Sequence, residues 1–172
     1  PVLNEEKYLE DSVNSILSQS FSGAIEVILA VGPSQDATMQ IAKALESRDS
    51  RVVVVENPTG KTAAGLNLAI AASRYAIIVR VDDHSQIPID YCETAFQILN
   101  ETGAVNVGGI MAAEGLSLFE RSVARAMRSP LGVGASRFHT GGGAGESDTV
   151  YLGCFRKEAL LAVGGFDERF TR

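Results

Sequence analysis

The stretch Y-A-I-I-V-R-V-D-D-H-S-Q-I-P at residues 75–88 decides how the rest of the chain is read. An apolar, β-branched run ends abruptly in two carboxylates and an imidazole, as in a buried strand that delivers polar groups at its carboxyl end. In an open α/β sheet that end faces the crevice where ligands bind, so Asp82, Asp83 and His84 are expected to line a site. Three hard or borderline donors in a row suit a divalent cation. Magnesium or manganese held by one or two protein groups keeps other positions open for phosphate oxygens, which makes a nucleotide diphosphate the natural second ligand. A plain polar turn after a strand is the competing account, because Asp-Asp-His is also good turn and cap chemistry.

Working outward, the surrounding sequence alternates between strand and helix patterns. Asn4 is placed to cap a helix with Glu5 and Glu6 in its first turn and Leu9, Val13, Ile16 and Leu17 as its apolar stripe. Residues 24–31, A-I-E-V-I-L-A-V, form a strand too apolar to face water. Gly32-Pro33-Ser34 turns it into a helix with Ala37, Ile41, Ala44 and Leu45 inward. A short strand at 51–55, a turn at 57–60 and an alanine-rich helix at 62–73 repeat the unit. After the Asp-Asp-His loop, Pro88 opens a helix that buries Ile89, Cys92, Phe96 and Leu99 and stops at Gly103, and residues 104–110 add a strand. This alternation predicts an α/β fold with a mainly parallel central sheet and helices on both faces.

From Gly115 the character changes. Leu116, Phe119, Val123 and Met127 make a helical stripe whose outer face carries Glu120, Arg121, Arg125 and Arg128. Such a helix can lie on a membrane surface; a half-buried surface helix is the simpler reading of the same pattern. The glycine-rich segment 129–147 exceeds the roughly 12 to 15 residues beyond which a loop tends to be a lid or a binding loop, and a lid is expected. A strand at 149–155, a short helix at 156–163 and a turn at 164–168 follow.

Composition narrows the function. The 172 residues, 45% of them hydrophobic, can bury a real core as a single domain. A net charge of -6 leaves no basic field to neutralise a nucleic-acid backbone, so no nucleic-acid partner is expected, whereas a nucleotide-sized anion needs only one or two local cations. Cys92 and Cys154 match no metal spacing and read as small buried thiols, in keeping with a reducing cytoplasm. No apolar run reaches the roughly 18 residues that span a bilayer, and no signal sequence opens the chain. The first residues, P-V-L-N-E, read as a strand entered near its finish, and the last, F-D-E-R-F-T-R, bring no closing element; the expectation is one domain over 1–172 cut at both ends.

Some motifs mislead. Gly60-Lys61-Thr62 follows a strand and opens a helix as a phosphate-binding P-loop does, but that motif needs a glycine where Val55 stands. Lys61 can still meet a phosphate or base as a point charge near a helix N-terminus, or remain a solvated turn lysine. The run Gly141-Gly142-Gly143-Ala144-Gly145 lies in a long loop, not in a first strand-to-helix turn, and reads as flexibility; His139 reads as an exposed loop histidine. No ordering of Ser, His, Asp or Cys suggests a nucleophilic triad.

Five segments together carry a resemblance. P-V-L-N-E-E at 1–6, E-V-I-L-A-V-G-P-S-Q-D-A-T at 26–38, N-P-T-G-K-T-A-A-G-L-N at 57–67, V-R-V-D-D-H-S at 80–85 and G-C-F-R-K-E-A-L-L-A-V-G-G-F-D-E at 153–168 come in the order seen in family 2 glycosyltransferases. The chain resembles bacterial exopolysaccharide enzymes of the succinoglycan-synthesis type. The resemblance implies a GT-A fold, a nucleotide-diphosphate sugar donor, a divalent cation (Mn or Mg) on the diphosphate and inverting transfer to a glycan or lipid-linked acceptor. It places Pro1, Val2, Leu3, Asn4 and Glu5 around the nucleoside, with Val31, Lys61, Asp82 and Asp83 also on the nucleotide-sugar side. Asp82 and His84 take the two ends of the D-x-D motif as metal ligands. Asp148, Thr149 and Tyr151 fall on the acceptor side. It further implies a cytoplasmic enzyme, at the inner face of the cell membrane if the arginine-bearing helix docks there.

Three departures qualify this. Val31-Gly32 stands where the family has an aspartate that reads uracil, so UDP is less firmly implied. His84 replaces the second D-x-D carboxylate, which shifts metal preference from magnesium toward manganese or weakens metal binding. The family's general base follows the G-G-F-D-E turn and is expected after Arg172, so no catalytic residue is nominated; Asp167 and Glu168 are set aside as turn-forming groups. The alternatives are a sugar-nucleotide-binding domain without turnover, and nucleotidyl transfer, for which P-V-L-N-E-E lacks the glycine-rich, arginine-containing loop.

Overall fold

The computed structural model describes residues 1–82, 85–111, 115, 117–129, 132, 144–147 and 149–170. In chain order the elements are α1 (Leu9–Leu17), β1 (Val27–Val31), α2 (Thr38–Arg48), β2 (Val52–Glu56), α3 (Thr62–Ala72), β3 (Ile77–Val79), α4 (Tyr91–Thr102), β4 (Asn106–Gly109), α5 (Leu118–Met127), β5 (Tyr151–Arg156) and α6 (Lys157–Ala162). The α/β class and the element order follow the sequence pattern.

The V-I-L-A-V run of β1 is buried at four of its five positions because helices cover both of its faces. It pairs in parallel with β2, Val27 opposite Val52 through Val31 opposite Glu56. On its other edge Val2 adds one parallel bridge to Val31: Val2 N–H donates to the Ala30 carbonyl, and Gly32 N–H to the Val2 carbonyl, both at 2.8 Å. Leu9 and Val13 of α1, Ala42 and Leu45 of α2 and the strand side chains Val27, Leu29, Val31 and Val52 form the core here. A second, smaller core joins Ala95 and Leu99 of α4 to Cys154 of β5.

The parallel character is confined to β1 and β2. β5 lies between β3 and β4 and runs antiparallel to both. Hydrophobic periodicity reports which faces are covered and is silent on strand direction, so the pattern alone does not reveal this insertion.

β1 ends one sheet and β3 ends the other, and a cavity of about 330 Å³ lies between these edges, lined by Ile28, Leu29, Ile77, Ile78 and Val79 among others. β3 is therefore shorter and less buried than its sequence promises, with all three residues only half-buried. At one end of the gap Glu26, just ahead of β1, holds Arg74, just ahead of β3: Arg74 N–H donates at 2.6 Å and its guanidinium at 2.8 Å.

Several expected faces shift. Helix α2 turns Thr38, Ala42 and Leu45 inward and leaves Ala37 and Ala44 exposed, because the Thr38 hydroxyl is held inward by the chain at Glu5. Ile89 precedes α4 and is 64% exposed. Gly103 ends α4 as expected, in the left-handed conformation at φ 69°. The stripe of α5 does not pack inward: Ala124 is the buried residue, while Phe119 is 77% and Val123 42% exposed. Most of the expected lid at 129–147, including His139 and Gly141, Gly142 and Gly143, lies outside the described residues.

Candidate functional site

At the carboxyl end of β1 the first six residues are clasped to the loop that enters α2. Asn4 N–H donates to the Ser34 hydroxyl at 3.0 Å, and the Asn4 side-chain oxygen accepts from Gln35 N–H at 2.8 Å. Glu5 N–H donates to Thr38 Oγ1 at 2.8 Å and Glu6 N–H to the Asp36 carboxylate at 3.1 Å, while the Glu6 carboxylate accepts from Ala37 N–H at 3.0 Å. Asn4 is thus no helix cap: α1 begins at Leu9 after a turn, and Asn4 sits at φ 56°, a left-handed conformation that asparagine tolerates better than most residues. The Thr38 hydroxyl, followed by backbone donors, holds the Asp36 carboxyl below the usual carboxylate range.

The third strand end meets the other two at Gly32. A Cβ there would stand 3.0 Å from Leu3 Cδ1 and 3.1 Å from Gly60 Cα, so a side chain at this position would force its neighbours to shift. Asn57, fully buried, shapes the turn that follows β2. Its N–H donates to the Val31 carbonyl at 2.9 Å, and its side-chain amide donates to the Lys61 carbonyl at 3.0 Å. Pro1 packs on the first turn of α3, where a Cβ on Gly65 would meet Pro1 Cβ at 2.8 Å. Pro1, Val2, Leu3, Asn4, Glu5, Val31 and Lys61 therefore gather at one end of the parallel pair. Asp36, Thr38 and Asn57, which hold them there, were not singled out from the sequence, although a run such as S-Q-D-A-T ahead of a helix carries a capping signal.

The second group forms where β3 meets β5. Arg80 N–H donates to the Gly153 carbonyl at 2.9 Å, and its guanidinium grips Asp82 Oδ1 from Nη2 at 3.0 Å and from Nε at 3.2 Å. Ser85 N–H closes a turn on the Asp82 carbonyl at 2.9 Å, and the Ser85 hydroxyl meets the Tyr151 hydroxyl at 3.1 Å. Beside Tyr151 the strand is irregular. The register with β4 shifts between Val107 and Gly109, and Leu152 adopts φ 48°, an uncommon conformation for a branched residue. Tyr91 caps the irregularity by donating its hydroxyl to the Leu152 carbonyl at 2.6 Å, and burial pushes its pKa up to about 12. Asp82 and Tyr151 are thus joined through Ser85. Thr149 is exposed nearby in sequence, whereas Asp83, His84 and Asp148 lie outside the described residues.

The cavity between the sheets is lined by Pro1 and Val2 from the first group and by Arg80 and Val81 from the second, but Glu5, Lys61 and Asp82 are not part of its lining. Its wall is mainly apolar, the wrong chemistry for a diphosphate. For a divalent cation, Asp82 supplies one hard carboxylate that already has Arg80 as counter-ion, and among the described residues no three of His, Cys, Asp and Glu come together. Asp167 and Glu168 are engaged in the turn: Asp167 pairs with Arg169 at 2.6 Å, and Glu168 accepts from the Asn67 amide at 2.9 Å. Cys92 and Cys154 are free thiols, and burial raises both to about 11.

Residues 1–161 match Glycosyl transferase family 2. The chain is 34% identical over 175 residues to the succinoglycan biosynthesis protein ExoA of Rhizobium meliloti, covering 99% of this chain and 52% of that protein. It is 30% identical over 141 residues to the uncharacterized glycosyltransferase EpsJ of Bacillus subtilis, covering 81% of this chain and 38% of that one. Among solved structures it resembles TarS 1–349 of S. aureus, with TM-score 0.72, 19% identity, and coverage of 96% of this chain and 48% of that one. It also resembles the mannosyltransferase PcManGT of Pyrobaculum calidifontis in complex with GDP-Man and Mn2+, with TM-score 0.71, 20% identity, and coverage of 97% and 46%. The fold is accordingly GT-A, and the chain spans about half the length of these relatives.

Proposed function

Because the chain belongs to Glycosyl transferase family 2, we propose that it binds a nucleotide-diphosphate sugar and transfers the sugar, with inversion, to a glycan or lipid-linked acceptor of a surface polysaccharide. The observation that carries this reading is the convergence of Pro1, Val2, Leu3, Val31 and Lys61 on Gly32 and Gly60 at the carboxyl end of β1. That is where an open α/β sheet takes its ligand. UDP is the proposed nucleotide, supported by the TarS complexes with UDP and UDP-GlcNAc. With Val31-Gly32 at the end of β1, base recognition falls to backbone groups and to the clasped residues Asn4 and Glu5. Lys61, at the N-terminus of α3, offers the positive charge on the nucleotide side.

Asp82 and His84 are the residues we propose for a manganese or magnesium ion, a carboxylate and an imidazole that suit manganese best. A cation held there would supply Lewis-acid neutralisation of the diphosphate charge. Arg80 holds the Asp82 carboxylate in place through its two guanidinium hydrogen bonds. Transfer forms a bond from an acceptor hydroxyl to the anomeric carbon, breaks the bond to the diphosphate and passes the hydroxyl proton to a base. Asp148, Thr149 and Tyr151 are proposed for the acceptor side. The setting we propose is the cytoplasm, with the acceptor at the membrane.

Isothermal titration of the 172-residue chain with UDP-glucose and manganese tests the reading, with Asp82→Asn as the variant. Manganese-dependent binding that disappears in the variant, with thermal unfolding nearly unchanged, is the expected result. Unchanged binding in Asp82→Asn, or none by the parent chain, overturns it. The engagement of Asp167 and Glu168 within their turn favours a second reading, donor binding without turnover by this chain. Binding without release of UDP in a hydrolysis assay selects it.

A further inference from the structure

Helix α5 is well made as a helix, yet its apolar face points away from the protein. Ser117 opens it with a complete capping box: its hydroxyl accepts from Glu120 N–H at 3.1 Å, and the Glu120 carboxylate accepts from Ser117 N–H at 2.8 Å. At about 100° per residue, buried Ala124 marks the side that rests on the protein. Leu118, Phe119 and Val123 lie broadly opposite and are 82%, 77% and 42% exposed. Arg125, exposed, flanks one edge of this face, and exposed Arg128 follows at the end of the helix, nearer the Ala124 side. The chain as a whole carries a net charge of -6, so these cations run against its overall sign.

We propose that α5 is a docking element for an anionic lipid bilayer. Leu118, Phe119 and Val123 enter the boundary between headgroups and acyl chains, while Arg125 and Arg128 meet lipid phosphates. The charge complementarity selects a lipid surface over a neutral protein groove, and a single short helix of this kind lies on a membrane without crossing it. No helix among the described residues is long and apolar enough to cross one. β3 and β4 run in the same direction, both being antiparallel to β5, so the chain leaves β4 at the end of the sheet where Asp82 follows β3.

Flotation of the 172-residue chain with vesicles tests the docking without substrate or metal. The chain is expected to float with vesicles of equal phosphatidylcholine and phosphatidylglycerol, to stay behind with phosphatidylcholine alone, and to be released by high salt. Phe119→Asp, and separately the pair Arg125→Gln and Arg128→Gln, are expected to lower the bound fraction about tenfold with an unchanged melting temperature, since these side chains are exposed. Val163→Ser, at a residue 77% exposed elsewhere, is the control and is expected to bind as the parent does. Failure to float, equal flotation of parent and Phe119→Asp, or equal loss with Val163→Ser overturns the proposal. So does a concentration-dependent dimer that Phe119→Asp dissolves, which would assign the face to a second copy of the chain.

Discussion

Arg80 and Asp82 form a pair that is part-exposed on both sides, 38% and 28%, and such pairs contribute little to folding. Replacing Asp82 by Asn should therefore change the unfolding free energy by no more than about 1 kcal/mol in urea titration, which is what makes it a clean probe of ligand binding. A loss several times larger would make Asp82 a structural residue. Cys154 offers a second residue-level test. It is fully buried, and its thiol pKa is raised to about 11, so the reactive thiolate is scarce. Iodoacetamide at mildly alkaline pH should leave Cys154 unmodified in the folded chain and label it only after denaturant is added, as intact mass reports. Both cysteines read as buried thiols because they match no metal spacing; Cys154 is buried, whereas Cys92 is only half-buried. Asn4 shows the opposite case. An asparagine ahead of two glutamates carries the same signal whether it caps a helix or sits in a left-handed turn, and the partner that decides, Gln35, is 31 residues away.

At the scale of elements, the turn at 164–168 is hooked onto α3 by one side chain. The Asn67 amide donates to the Phe166 carbonyl and to Glu168, and its oxygen accepts from Phe166 N–H at 2.8 Å. Asn67→Ala should cost about 1 kcal/mol in chemical denaturation, because it leaves part-buried backbone groups of the turn without their partner. An unchanged midpoint would mean the hook is ornamental. Periodicity located some elements closely, as with α3, expected at 62–73 and observed at Thr62–Ala72, and others less so, as with α1, expected from Asn4 and observed from Leu9. It did less well on which side chains face inward, since Thr38 turns the face of α2 through a hydrogen bond to residue 5, a long-range event with no local trace. It was silent on the antiparallel placement of β5, because pairing direction depends on how a distant segment returns. The gathering of the first six residues with Val31 and Lys61 was legible only through resemblance, since three separate segments meet there.

For the molecule as a whole, the Glu26–Arg74 pair is one of the links that tie the parallel pair to the antiparallel sheet. Burial opposes ionisation of Glu26, whose side chain is 6% exposed, but the hydrogen bonds from Arg74 outweigh it and the pKa is lowered below 4.5. A depressed carboxyl stabilises the fold at pH values above its unfolded pKa and loses that contribution as the pH falls through the folded value. The melting temperature should therefore drop on acidification below about pH 4.5, and Glu26→Gln should lower the neutral-pH value while flattening the acid limb. A parallel offset of the two curves, with the same acid slope, would show that other carboxylates govern the acid limb.

The gap between β1 and β3 has its own consequence for how this polypeptide behaves in a tube. The strand edges that face it are apolar, with Ile28 on one side and Ile77 and Ile78 on the other, and an edge of this kind invites pairing between copies. Ile78→Lys should therefore suppress precipitation on concentrating, whereas Ile78→Val should not.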